Sequence, residues 1–222
     1  MRIRKKKWAE PELAVCDFFV KNPEENAGKW NLAFKKEQPL YLEIGCGKGS
    51  FAGKLALQNP DKNIIAVDIK IDMLGVGRRN IVSLFEQAGK TKDDVTNLLL
   101  VNYNVEQLDK IITEDDKIDR LFINFCNPWP RAKHNKRRLT YFKKLNMYKT
   151  FLKKDSEIRF KTDDDDLFND SLEYFEQSGY EVTYITRDLH ASDITNNIVT
   201  EHEKMFSDEG IKIKYCIARQ KQ

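Results

Sequence analysis

The chain is poor in cysteine and holds no two of them close together. Cys16, Cys46, Cys126 and Cys216 are spread over 222 residues, and none forms a Cys-x-x-Cys. A disulfide framework or a cysteine zinc site is therefore not expected, and a reducing compartment, the cytoplasm, suits this usage. Long apolar runs are missing too: no stretch approaches the ~20 residues of a membrane helix, so no membrane association is expected. The opening, Met1-Arg2-Ile3-Arg4-Lys5-Lys6-Lys7, is basic, but the apolar core of a secretory signal does not follow it. His190 and His202 lack metal-ligand spacing, and His134 reads as a phosphate or surface contact, so no metal is expected. There is no internal repeat, low-complexity tract or Gly/Ser linker. What remains is one α/β domain with appendages, a size that can bury a real core.

Net charge is only +3, so its layout says more than its sum. Residues 131–144 carry Arg131, Lys133, Lys136, Arg137, Arg138, Lys143 and Lys144 without an acid, and Arg2, Arg4, Lys5, Lys6 and Lys7 add a basic N-terminal arm. Acids gather elsewhere, as in Asp163-Asp164-Asp165-Asp166. A basic face on a nearly neutral molecule is an electrostatic footprint for phosphate backbones, although a solvated charged surface would look the same. The basic run begins at Asn127-Pro128-Trp129-Pro130, straight after an apolar strand (Leu121, Phe122, Ile123, Phe125). Each proline fixes its own φ and biases the residue before it away from helix, so this is a stiff, extended turn. It presents an amide and a flat aromatic beside many cations, a surface suited to nucleic acid. Trp129 serves either as a stacking platform or as packing that holds the turn.

Seven short apolar runs alternate with helical patterns from residue 40 onward: 40–44, 64–68, 98–102, 121–125, 157–162, 180–186 and 212–218. Between them, segments such as 167–175 place Leu167, Phe168, Ser171, Leu172 and Phe175 on one helical face. Such alternation predicts a doubly wound, mostly parallel sheet with helices on both faces, its last two strands forming a hairpin-like addition joined through 187–210. Residues 1–39 read as a basic arm plus a helix over about 11–20 packed on the domain formed by 40–222. Ligands of such sheets bind at the carboxyl ends of the strands.

The first of these strands ends in Glu43-Ile44-Gly45-Cys46-Gly47-Lys48-Gly49-Ser50. Glycines at 45, 47 and 49 permit a tight turn and close backbone approach to a ligand. A dinucleotide fingerprint would want Gly-x-Gly-x-x-Gly, and position 50 is serine. Glu43 would repel a pyrophosphate but suits a cationic amino-acid ligand such as S-adenosylmethionine. Asp68 closes the second strand, where an acid takes ribose hydroxyls.

At this point the chain resembles the bacterial tRNA guanine-N7 methyltransferase family, with the class I, Rossmann-like methyltransferase fold and its seven-stranded sheet. The matching pieces are Glu43–Phe51, Asn127–Thr140, Lys161-Thr162-Asp163 and Thr200-Glu201-His202-Glu203, with Arg2–Ala9 as the basic entry arm. The resemblance implies 40–222 as the methyltransferase domain, S-adenosylmethionine as cofactor and tRNA as partner, methylated at guanine 46 of the variable loop by a monomer or homodimer. It implies Glu43, the glycines at 45, 47 and 49, Asp68, Asn104 and Asn127 for the cofactor. Arg131, Asp163, Thr200, Glu201, His202 and Glu203 are implied for the tRNA, with Lys136, Arg137 and Arg138 on its phosphates. Asn127 and Asp163 are the catalytic candidates: Asn127 could bind the base edge or the cofactor, and Asp163 and Glu203 are carboxylates that could balance the charge left on the methylated base. The family pattern carries aspartate where Asn104 and Asn127 stand, glutamate at Asp68 and lysine at Arg131. An amide oxygen still accepts hydrogen bonds but forfeits charge assistance, about 1 kcal/mol per contact, so weaker cofactor binding is expected.

Guanine N7 has a free lone pair and needs no general base, which leaves positioning and electrostatics as the catalytic means. Bland roles compete for several of these residues. Thr200-x-x-Glu203 is a capping box, and Asp163–Asp166 could cap the helix that follows. The rival activities are methylation of an exocyclic adenine amine, suggested by the Asn-Pro-aromatic turn, and RNA binding without catalysis.

Overall fold

A computed structural model describes residues 5–221 and divides into two compact units, 1–112 and 113–222. The arm residues Arg2, Ile3 and Arg4 lie outside the described residues.

The first unit is built on four parallel strands in the spatial order β1-β4-β3-β2: β1 (Phe19–Val20), β2 (Leu40–Ile44), β3 (Asn63–Asp68) and β4 (Leu98–Asn102). Strands β2, β3 and β4 are buried along nearly their whole length, the mark of parallel strands covered on both faces. Their apolar runs are therefore continuous rather than alternating. Helices α2 (Ser50–Gln58) and α3 (Ile71–Gln87) pack on each other and on β3 and β4. The N-terminal helix α1 is shorter and earlier than expected, Ala9–Ala14. It crosses α3 at Gly75, where an added Cβ would fall 2.4 Å from that of Ala9. The rest of the expected 11–20 helix is a turn into β1, a strand too short to leave a periodic signal, and it raises the strand count from seven to eight.

The second unit carries β5 (Ile118–Asn124), β6 (Leu152–Thr162), β7 (Tyr180–Thr186) and β8 (Lys214–Gln220) in the order β5-β6-β8-β7. Here β5 and β6 are parallel, while β8 runs antiparallel to both its neighbours. The expected hairpin of the last two strands is present, with β8 inserted between β6 and β7. Helices α4 (Phe142–Tyr148) and α5 (Asp165–Gln177) pack together, and α5 rests on β6, β7 and β8. It does so through Leu167, Phe168, Ser171 and Phe175, four of the five residues placed on that face by spacing. Helix α6 (Glu201–Asp208) precedes β8.

Among the described residues no helix is long and apolar enough to cross a membrane, and no His/Cys/Asp/Glu group could hold a metal ion.

Candidate functional site

In the first unit the candidate residues stand at the carboxyl ends of adjacent parallel strands. Glu43, one residue before the end of β2, is 2% exposed. The chain then turns through Gly45, Gly47 and Gly49, with φ of 74°, 54° and 66°. All three lie in the left-handed region that L side chains rarely adopt, so glycine is required by conformation. Gly49 is also required by space: a Cβ there would stand 3.1 Å from Ile81 Cδ1 and 3.2 Å from Gly77 Cα. A Cβ on Gly47 would meet nothing within 4 Å, so the crest of the turn opens away from the protein.

Asp68 ends β3 and latches this turn. Its Oδ2 accepts the Gly47 N–H at 2.9 Å, and its Oδ1 accepts the Lys70 N–H at 2.8 Å as the chain enters α3. Each oxygen keeps a second acceptor direction. The Asp68 carbonyl in turn receives Asn102 Nδ2 and the Tyr103 N–H, tying β4 to the same point. Asn104, two residues beyond β4, accepts the Glu106 N–H through Oδ1 at 3.0 Å and so caps the 3-10 turn Val105–Lys110. The donor set is thus a buried carboxylate, a second carboxylate fixed by backbone amides, and an amide, around a turn open at its crest. Such a set is chemically suited to a ligand that carries a cation, hydroxyls and a polar ring edge, as S-adenosylmethionine does.

In the second unit the candidate residues follow β5 and β6. Phe125 pairs with β6 through its N–H on the Lys161 carbonyl and then turns with φ 48°; Trp129 does so with φ 45°. Bulky residues adopt such values only when their surroundings hold them there. Exposed Asn127 accepts the Trp129 N–H through Oδ1 at 3.1 Å. The Trp129 ring has the Arg137 guanidinium 4.9 Å over its face and His134 against its edge, so it is engaged by its own segment. Cys126 is half-buried, and loss of solvent pushes its thiol up to about 12, so it is not a reactive thiolate.

Arg131, Lys133, Lys136, Arg137 and Lys143 are exposed. Arg138 is not: at 3% exposure it donates Nε to the Pro128 carbonyl at 2.7 Å and pairs through Nη1 with Asp170 of α5. Its expected place on a phosphate is corrected by this burial; sequence shows a run of cations but not which of them folds inward. Lys144 is buried as well and donates to the Lys136 carbonyl.

Asp163 follows β6 and is half-buried. Loss of solvent raises its carboxyl above the ordinary aspartate range, and Asp164 adds to the rise, while a backbone hydrogen bond, Lys214 and His202 oppose it. Asp164, not Asp163, caps α5, accepting the Leu167 N–H. Glu203 is fully buried and takes Lys161 Nζ at 2.6 Å, His190 Nε2 at 3.0 Å, Asn197 Nδ2 and the Thr200 N–H. Thr200 Oγ1 accepts the Glu203 N–H, completing the capping box. Thr200 and Glu203 therefore build the start of α6, while Glu201 and His202 are exposed. His202 stacks with Phe125 and Phe206 at centroid distances of 6.2 and 6.4 Å. The contacts of Phe125 and Asp170 were not readable in the sequence, because their partners, His202 and Phe206 for the one and Arg138 for the other, lie far away along the chain.

Solved structures share this architecture. An antibiotic-related methyltransferase matches with a TM-score of 0.57 at 14% identity, covering 100% of this chain and 97% of that one. A 16S rRNA methyltransferase, KamB, matches with 0.57 at 11% identity and the same coverage. At such identities the likeness establishes the fold, that of a class I, Rossmann-like methyltransferase. The family model described as "Putative methyltransferase" matches residues 37–216. A tRNA (guanine-N(7)-)-methyltransferase of Clostridium beijerinckii is 54% identical over 218 residues, 98% of each chain. Proteins of the same name from Clostridium perfringens and Acetivibrio thermocellus are 52% and 48% identical over 99% and 100% of each chain. The chain belongs to the tRNA (guanine-N(7)-)-methyltransferase family.

Proposed function

We propose that this protein transfers a methyl group from S-adenosylmethionine to N7 of a guanine in tRNA, at position 46 of the variable loop. The observation that carries the reading is the 54% identity across 98% of both chains to a relative named for that activity. The glycine turn alone would fit many methyl acceptors.

Glu43 holds the cofactor's amino group, Asp68 its ribose and Asn104 its adenine edge, with Gly45, Gly47 and Gly49 supplying close backbone approach. The cofactor supplies an activated methyl group on a sulfonium. N7 carries a lone pair at neutral pH, so no side chain has to remove a proton first. The chain has instead to hold the base, exclude water and balance the positive charge left on its imidazole half. Asp163 takes that role in this reading, since a carboxylate stripped of water interacts more strongly with a nearby cation. Asn127 offers an amide to the base edge or the cofactor. Exposed Arg131, Lys136 and Arg137 meet tRNA phosphates and set register rather than read sequence. Glu201 and His202 present the start of α6 to the substrate.

The test is methyl transfer from labelled S-adenosylmethionine to unmodified tRNA, with the product mapped by chain scission at 7-methylguanosine. A single scission in the variable loop is expected. Scission elsewhere would refute the position, and no label with folded protein and competent tRNA would refute the activity.

A further inference from the structure

We propose that Arg138 is a positioning residue for this reaction: its guanidinium, spanning the Pro128 carbonyl and Asp170, fixes the Asn127–Pro130 turn. The inference rests on the proposed function for its kinetic readout only.

The turn is unusually hard to hold by backbone alone. Pro128 and Pro130 have no N–H, which leaves Asn127 and Trp129 as the only backbone donors in the four residues. The Trp129 N–H is spent inside the turn, on Asn127 Oδ1. The two prolines leave few backbone donors to anchor the turn from outside, and Arg138 Nε takes the Pro128 carbonyl at 2.7 Å. Phe125 and Trp129, at φ 48° and 45°, would relax to commoner values if nothing opposed it. The other end of the guanidinium grips Asp170 on α5, the helix that begins two residues after Asp163. One side chain thus indexes the turn bearing Asn127 to the helix beside Asp163, the two residues placed on the reacting groups. The planar fork donates from two separate nitrogens, Nε and Nη1, held in fixed geometry, whereas a lysine would have to serve both acceptors from one point at the end of a flexible stem. With 3% of its surface exposed, Arg138 is not available to a phosphate.

The experiment compares Arg138→Lys, Asp170→Asn and the double variant with the parent. Asp170 is 38% exposed on its side chain, so its replacement leaves a folded protein even where Arg138→Lys does not. The expected result is a fall in kcat of roughly tenfold or more for Arg138→Lys and severalfold for Asp170→Asn. KM for tRNA and Kd for S-adenosylmethionine should stay within about twofold, and the double variant should be no slower than Arg138→Lys, as one linkage requires. A raised KM with unchanged kcat would overturn the proposal and return Arg138 to the phosphates. A second readout needs no turnover: in a Trp8→Phe background, with Trp30 buried, acrylamide quenching reports Trp129. Quenching should rise in both single variants; unchanged quenching overturns the proposal. A folded parent that fails to methylate tRNA would refute the functional reading, and the quenching would still decide the role of Arg138.

Discussion

The turn after β2 and the turn after β5 both carry the backbone through the left-handed region, and they stabilise it by opposite means. After β2 the residues at positive φ are Gly45, Gly47 and Gly49, for which that conformation costs little. Backbone amides and one carboxylate, Asp68, then fix the turn, and Gly49 lies against Gly77 with no side chain between them. After β5 the residues at positive φ are Phe125 and Trp129, each strained by on the order of 1–3 kcal/mol. That strain is offset by side chains: Arg137 and His134 of the same segment on the Trp129 ring, Arg138 bridging the turn to Asp170, and His202 and Phe206 from far along the chain on Phe125. A turn fixed by glycine presents a bare backbone that a small, well-defined ligand can approach. One fixed by side chains presents an amide, an aromatic ring and exposed cations instead.

The largest effect that would break this contrast is expected at Glu43. Glu43→Gln keeps the shape and removes the charge, and should weaken S-adenosylmethionine binding roughly 10- to 100-fold while leaving tRNA affinity unchanged. Calorimetric titration with each ligand checks it, and equal loss of both would show that the first turn is not a dedicated cofactor cradle. Next comes Gly77→Ala. Its Cβ would press on Lys48 carbonyl carbon at 3.2 Å, and backbone cannot swing aside as a side chain would. A loss of about 1–3 kcal/mol in denaturant-derived stability is expected, with cofactor binding weakened through the displaced glycine turn. Full stability in Gly77→Ala would mean the turn is not held by close backbone packing.

Replacing Arg131, Lys136 and Arg137 together with alanine should lower tRNA affinity and flatten the slope of log affinity against log salt by about 2. An unchanged slope would move the RNA surface away from this segment. The smallest effect on stability is expected at Asp163. Its carboxyl is raised in the fold mainly by loss of solvent, so it binds its proton more tightly folded than unfolded. Ionisation of Asp163 therefore opposes folding at neutral pH, and that penalty fades as pH falls through the raised folded value toward the ordinary one. Asp163→Asn should melt slightly higher than the parent at pH 7, with the gap closing in acid, and should lose activity at every pH. A lower melting point at pH 7 would show a structural role for the charge.

The elements were legible where periodicity is local. Strands 40–44, 98–102 and 180–186 have the bounds that their apolar runs suggest, and the glycine turn with Glu43 and Asp68 was readable from composition at strand ends. What was not legible depends on partners distant in sequence. Nothing near Arg138 distinguishes it from Arg137, yet one is buried against Asp170 and the other lies over Trp129. Glu203 and Lys161 sit 42 residues apart, and only folding turns them into a buried pair. Strand β1, two residues long, carries no pattern at all and is defined by its pairing with β4.

The central claim is that the methyl acceptor is the N7 lone pair of guanine in tRNA. It is tested most directly by offering the protein two transcripts of one tRNA, one with guanine and one with 7-deazaguanine throughout, and counting labelled methyl groups transferred from S-adenosylmethionine. The account predicts label in the first and none in the second, with both competing for binding. Equal label in both would contradict it, because replacing N7 by carbon leaves every exocyclic amine untouched.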